Sequence, residues 1–199
     1  PAGQPRAAVT TVAGQPVTID TTVGATGGPF TGVTLVTPPA TGTTTVTGTN
    51  ITYTPLATAS GTVSIVYTLN NAYGASAPIT ATITINQVPV AVSRRVSANA
   101  GVAAVVELTT DATGGPFTAA TLVSLSPASA GTATVAPSGS GASAGYRLTF
   151  TPAATFAGTA TATFTLSNTF ATSAPATIDF DVIGRPDPTL DAEVMGLLG

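Results

Sequence analysis

Asp179 and Asp181 form a close carboxylate pair within one strand-like stretch, and a carboxylate pair is the minimum equipment for acid–base chemistry such as glycoside hydrolysis. They alternate with Ile178, Phe180 and Val182, so a strand would send both carboxylates to its outer face, where solvation is the expected role. Asp20 and Glu107 each close a short apolar stretch and are expected to cap a turn or sit on a rim. The chain has no histidine and no cysteine, which excludes Ser-His and Cys-His nucleophile systems and any thiolate metal site. The paired glycines Gly27-Gly28 and Gly114-Gly115 precede no helix, and there is no lysine to follow them, so they do not read as a phosphate cradle. Expected catalytic residues, cofactors and metal ligands are therefore none.

The elements that must position these residues occur twice. GATGGPFTGVTLV around Gly27-Gly28-Pro29-Phe30 returns as DATGGPFTAATLV around Gly114-Gly115-Pro116-Phe117. Tyr53-Thr54-Pro55 returns as Phe150-Thr151-Pro152, and LNNAY at 69–73 returns as LSNTF at 166–170, each followed by Ser-Ala-Pro. A repeat of this length signals two copies of one folding unit. Each copy has about 90 residues, enough for a sandwich with its own core. Thr82 and Thr84 stand in the first copy where Asp179 and Asp181 stand in the second, which argues against shared carboxylate chemistry.

Both copies are rich in period-two patterns. Val63, Ile65, Tyr67 and Leu69 alternate with polar residues, as do Ala160, Ala162, Phe164 and Leu166 in the second copy. Such alternation marks a strand with one buried face. The closing strands repeat it in Ile79, Ala81, Ile83, Ile85 and in Ala176, Ile178, Phe180, Val182. Strands are expected near 7–12, 16–20, 32–37, 43–47, 50–54, 61–70 and 78–86, then near 90–97, 103–109, 119–125, 132–136, 146–151, 159–168 and 175–183. Seven short strands per copy with turn residues between them predict an all-β protein of two tandem antiparallel sandwiches. The expected units are 1–87 and 88–184, with 185–199 a linker containing a short helix around TLDAEVMGLL. Gly27 and Gly114 are expected at positive φ in a tight turn over Phe30 and Phe117. The stretch 137–145 is a lengthened, variable hairpin tip.

Only 7% of the residues are charged, with five arginines against eight acids, far below the usual quarter. Scattered arginines and a net charge of −3 make no basic stripe, so no nucleic-acid partner is expected. No run is long enough for a membrane-spanning helix. Without a signal-peptide pattern at Pro1, the chain reads as a segment of something longer. The junction Ile85-Asn86-Gln87-Val88-Pro89-Val90 lacks Gly and Ser, and Pro89 stiffens it, so an extended pair is expected.

The ordered motifs AGQPVTID, GGPF, TGTTTV, ITYTP, GTVSIVYTLNNAYG and ITATITI resemble bacterial immunoglobulin-like and cadherin-like tandem repeats of large surface proteins. The tail RPDPTLDAEVMGLLG resembles the segment before the membrane barrel of some autotransporters. The resemblance implies a passenger or adhesin displayed on the outer membrane. The acidic calcium loop of many cadherin-like repeats has no counterpart here. Its place holds no acid in the first copy and only Asp111 in the second, too few oxygens for calcium even with Glu107.

The reading that follows is a non-catalytic, extracellular stalk or adhesive passenger of a bacterial cell-surface protein. A carbohydrate-binding accessory module of a secreted enzyme and a phage or surface-layer structural protein are the alternatives. Expected partners are a host-cell surface protein or glycan and neighbouring repeats of the same chain. Tyr73, Phe170, Arg94 and Arg95 are the candidate partner-binding residues. By parity Tyr73 and Phe170 continue buried rows and are expected inside; exposed, they would offer a contact for a partner or sugar. Arg94 and Arg95 are neighbours on one strand, so their side chains are expected on opposite faces, with an exposed surface role the default and support of the joint between copies the alternative for one of them.

Overall fold

The computed structural model describes residues 1–140 and 144–186. The chain divides into two compact units, Pro1–Val88 and Pro89–Gly199.

In the first unit, β1 (Arg6–Val12), β3 (Phe30–Thr37), β6 (Gly61–Asn71), β7 (Gly74–Ala75) and β8 (Ile79–Asn86) form one sheet in the order β1-β8-β6-β3, with β7 added to the end of β6. The strands β2 (Val17–Asp20), β4 (Thr43–Thr47) and β5 (Asn50–Thr54) form the other, in the order β2-β5-β4. All pairs are antiparallel except β1 with β8. The alternation read in the sequence decides what lies between the sheets. Ile65, Tyr67, Leu69, Ala81 and Ile83 from one sheet meet Ile19, Ile51 and Tyr53 from the other, all at 1% exposure or less. Burying such a side chain contributes about 1.5–3 kcal/mol. Tyr53 donates its phenol to the Thr41 carbonyl at 3.0 Å, so its polar tip is satisfied within the core.

The second unit repeats the plan. The strands β9 (Arg94–Asn99), β11 (Ala119–Ser126), β14 (Gly158–Ser167) and β15 (Ala176–Ile183) form a sheet in the order β11-β14-β15-β9. Against it pack β10 (Ala104–Glu107), β12 (Gly131–Ser138) and β13 (Gly145–Pro152), ordered β10-β13-β12. A 3-10 turn at Ala128–Ala130 leads into β12. Phe150 and Phe180 stack across the core with ring centroids 4.6 Å apart. Gly42 and Gly131 allow the entry to β4 and β12 to lie against β5 and β13. A Cβ on Gly42 would stand 2.6 Å from the Thr54 carbonyl oxygen, and one on Gly131 would collide with that of Thr151.

The expected fold class holds, with local differences. The first strand of the second unit begins at Arg94, not Val90. Val90 makes only an isolated bridge to Thr113, and the Ser93 hydroxyl accepts the Thr177 N–H at 3.0 Å in place of a backbone partner. The expected tip 137–145 is shorter, because β12 and β13 stay paired out to Ser138 and Gly145. Within 185–199, the expected helix lies outside the described residues.

Candidate functional site

In each unit the hairpin after the longest strand presents an aromatic residue on a turn fixed by side chains. Asn71, the last residue of β6, accepts hydrogen bonds from the N–H groups of Tyr73 at 2.9 Å and Gly74 at 3.1 Å. Its amide donates to the Gly27 carbonyl at 2.8 Å. One side chain thus closes the β6–β7 turn and ties it to the β2–β3 loop. Asn168 does the same in the second unit, accepting from Phe170 and Ala171 at 2.8 Å each and donating to Gly114 at 2.8 Å. Below this turn the buried Ser76 hydroxyl accepts the Leu69 N–H and donates to the Ala77 carbonyl; Ser173 copies both contacts with Leu166 and Ala174. Gly27 and Gly114 take φ values of 89° and 88°, as expected, and Phe30 and Phe117 pack half-buried beneath the following residue.

This geometry corrects the expectation that Tyr73 and Phe170 are buried. Tyr73 is 97% exposed and Phe170 55%. The strand parity stops at Asn71 and Asn168, because their side chains fold the backbone into a turn within two residues. Parity is a rule for extended chain and does not carry through a turn. The residues missed by sequence reasoning are those asparagines and the serines Ser76 and Ser173. Their signal was present: both copies space Asn, aromatic and Ser-Ala-Pro alike.

Arg94 and Arg95 face opposite sides of β9, as expected. Arg94 donates to the Thr110 carbonyl and pairs with Asp111 at 3.3 Å. Asp111 has φ 60°, a left-handed position taken by Gly24 in the first copy, where φ is 73°. Arg95 forks onto Asp181 at 2.6 and 2.8 Å, and Thr159 adds a third bond at 3.0 Å. The Arg95 hydrogen bonds hold the Asp181 carboxyl below the ordinary carboxylate value against the opposing effect of desolvation, with Thr159 helping. The same contact raises the Arg95 guanidinium. These partners of both arginines lie in the second unit, where they brace its own loops and outer face.

The other described carboxylates are engaged separately. Asp179 accepts from Thr161 at 2.7 Å, Glu107 from Ser138 at 2.6 Å, and Asp20 from both the N–H and hydroxyl of Thr22. Asp20 is thus the turn cap its position suggested. Among the described residues no three His, Cys, Asp or Glu side chains gather into a metal site. An apolar groove of about 300 Å³ runs past Ala2, Pro5, Pro78 and Ile79, with nothing acidic or basic among its side chains.

Two duplicated sandwiches, each with an aromatic-tipped turn and dispersed carboxylates, define a tandem immunoglobulin-like protein. The chain belongs to the bacterial Ig domain family, which matches residues 1–85 and again 86–181. No curated protein matches it. Among solved structures it is similar to an endo-fucoidan hydrolase of glycoside hydrolase family 107, with 17% identity, 92% of this chain and 28% of that one covered, and a TM-score of 0.38. An I-band fragment of titin gives 11%, 93%, 64% and 0.43 in the same order. Domains 4 and 5 of the S-layer protein SbsC give 18%, 77%, 70% and 0.32. The chain thus spans about a quarter of the length of the fucoidan hydrolase.

Proposed function

We propose that this pair of domains is a non-catalytic, extracellular segment of a bacterial surface protein, serving as a spacer that carries or forms an adhesive part. The observation that supports it best is the exact reuse, in both copies, of one architectural device. Asn71 and Asn168 hold the same turn, Ser76 and Ser173 lock it from below, and the carboxylates are spent singly on Thr, Ser and Arg partners. Catalysis needs unlike groups brought together at one place; duplication of a scaffold suits reach and repetition. Outer-membrane anchoring through an autotransporter barrel is the finer form of this reading.

Small-angle scattering of residues 1–199 tests the spacer. An extended particle supports it, and a compact globule counts against it. Labelling of intact cells with antibody to this segment tests the surface location; signal only after permeabilisation would refute it.

A second reading rests on the exposure of Tyr73 and Phe170. Exposed rings on rigid turns can stack on sugars or anchor a protein partner. Glycan-array or host-cell binding that is lost on Tyr73→Ala with Phe170→Ala would favour an adhesive contact over a passive spacer.

A further inference from the structure

Open sandwiches have sheet edges, and a strand edge with unpaired N–H and C=O groups pairs readily with another chain unless something blunts it. The two units have edges at β1, β2, β3 and β4, and at β9, β10, β11 and β12. Nearly all carry a known blunting device. The strand β1 has an irregular register, and β9 contains Arg94 and Arg95. Both β2 and β10 are four residues long and end in Asp20 and Glu107. In β3 and β11 a bulge throws out an extra residue, Val36 and its counterpart Val123. Pro137 lies in β12 and has no N–H to offer.

The edge of β4 has none of these. Thr43-Thr44-Thr45-Val46-Thr47 has no charge, glycine or proline, and its register against β5 is unbroken. Thr47 and Asn50 flank the two-residue turn Gly48-Thr49, so they form a hydrogen-bonded pair. Alternation along an antiparallel ladder then turns the N–H and C=O of Thr44 and Val46 away from β5, toward the open side. None of these groups has a backbone partner elsewhere among the described residues. Val46 is 44% exposed although its neighbour in the ladder, Ile51, is fully buried.

We propose that β4 is a self-pairing edge, and that its occupant is β4 of a second copy of this chain. The strand is self-complementary. An antiparallel pair centred on Thr45 puts Thr44 of one copy opposite Val46 of the other, so their outward N–H and C=O groups meet reciprocally. It also sets Thr45 opposite Thr45, extending the outer-face row in which Thr18 and Thr52 already share a hydrogen bond at 3.0 Å. Val46 gains cover on the inner face. With no charge between residues 43 and 47, nothing in the strand repels its twin. The contact is small, below the ~1,200 Å² of stable complexes, so pairing is weak in isolation and strengthened by repetition. This inference is independent of the spacer reading.

Sedimentation velocity of residues 1–199, carried to millimolar-range concentration, tests it. The parent chain is expected to dimerise reversibly. Thr45→Lys and Thr45→Glu each place like charges face to face and weaken dimerisation by roughly tenfold or more. Mixing the two variants restores association at low salt, and added salt weakens that mixed pair. Val46→Pro removes an edge-facing N–H while leaving the β5 ladder intact, and is expected to be monomeric with an unchanged circular dichroism spectrum. A parent that stays monomeric, a Thr45→Lys variant that dimerises like the parent, or a mixture that fails to reassociate would each overturn the proposal.

Discussion

The side-chain amide of Asn71 donates to the carbonyl oxygen of Gly27 at 2.8 Å, joining the end of the longest strand to a loop far earlier in the chain. Asn168 and Gly114 repeat the contact at the same distance. The remaining oxygen of each asparagine holds the turn that lifts an aromatic ring into solvent. This clamp is therefore both a stability element and the support of the candidate contact residues.

Removing the clamp leaves backbone N–H groups of the turn and the glycine carbonyl without their partner. Asn71→Ala and Asn168→Ala are each expected to cost about 0.5–1.5 kcal/mol, since the freed groups can be hydrated, read from urea unfolding of the affected unit. Limited proteolysis should then cut near residues 72–75 or 169–172 in the matching variant. Asn71→Asp retains the acceptor half of the clamp but loses the donor to Gly27, and should fall between the parent and Asn71→Ala.

Tyr73→Ala should leave stability within about 0.5 kcal/mol of the parent, because the ring is almost wholly in water. Phe164→Ala, by contrast, empties a fully buried site and should cost about 3–5 kcal/mol. Thermal unfolding of the two variants side by side checks both the exposure of the turn and the position of the core.

Gly42→Ala forces a methyl group against the Thr54 carbonyl and the Tyr53 ring at a φ of 81°. Strain of that kind costs on the order of 1–3 kcal/mol. Gly48→Ala, with nothing within 4 Å of the added carbon, should carry only the cost of its φ of 60°. A larger loss for Gly42→Ala than for Gly48→Ala in chemical denaturation is the expected result.

The Arg95–Asp181 contact carries a pH signature. Because the folded-state carboxyl of Asp181 titrates below its unfolded value, its contribution is present above the unfolded value and disappears as pH falls through the folded one. The pair is exposed, so salt screens it and the effect on stability is small. Carboxyl NMR titration should place Asp181 below ordinary aspartates, and Arg95→Ala should return it upward. An unmoved Asp181 in that variant would mean that Arg95 is not the cause.

Much of the architecture was legible because it rests on local rules. The alternation through Ile65, Tyr67 and Leu69 and through Ala176, Ile178 and Phe180 specifies which face is buried before any fold is known. The repeated Gly-Gly-Pro-Phe specifies the turn, since only glycine takes the φ that Gly27 and Gly114 adopt without cost. The site was less legible. Extending the strand parity past Asn71 buried Tyr73 on paper, whereas the asparagine side chain ends the strand and exposes the ring.

What the residues determined alone is the duplication, the sandwich class, the buried rows and the dispersal of charge, because period and composition act over a few neighbouring positions. Which loops meet was decided only in three dimensions. Asn71 finds Gly27, Arg95 finds Asp181, and β4 is left with an unblunted edge because sheet order brings distant segments together or leaves them unpaired. Hydrogen bonds between residues far apart in sequence depend on that order, and no local pattern encodes it.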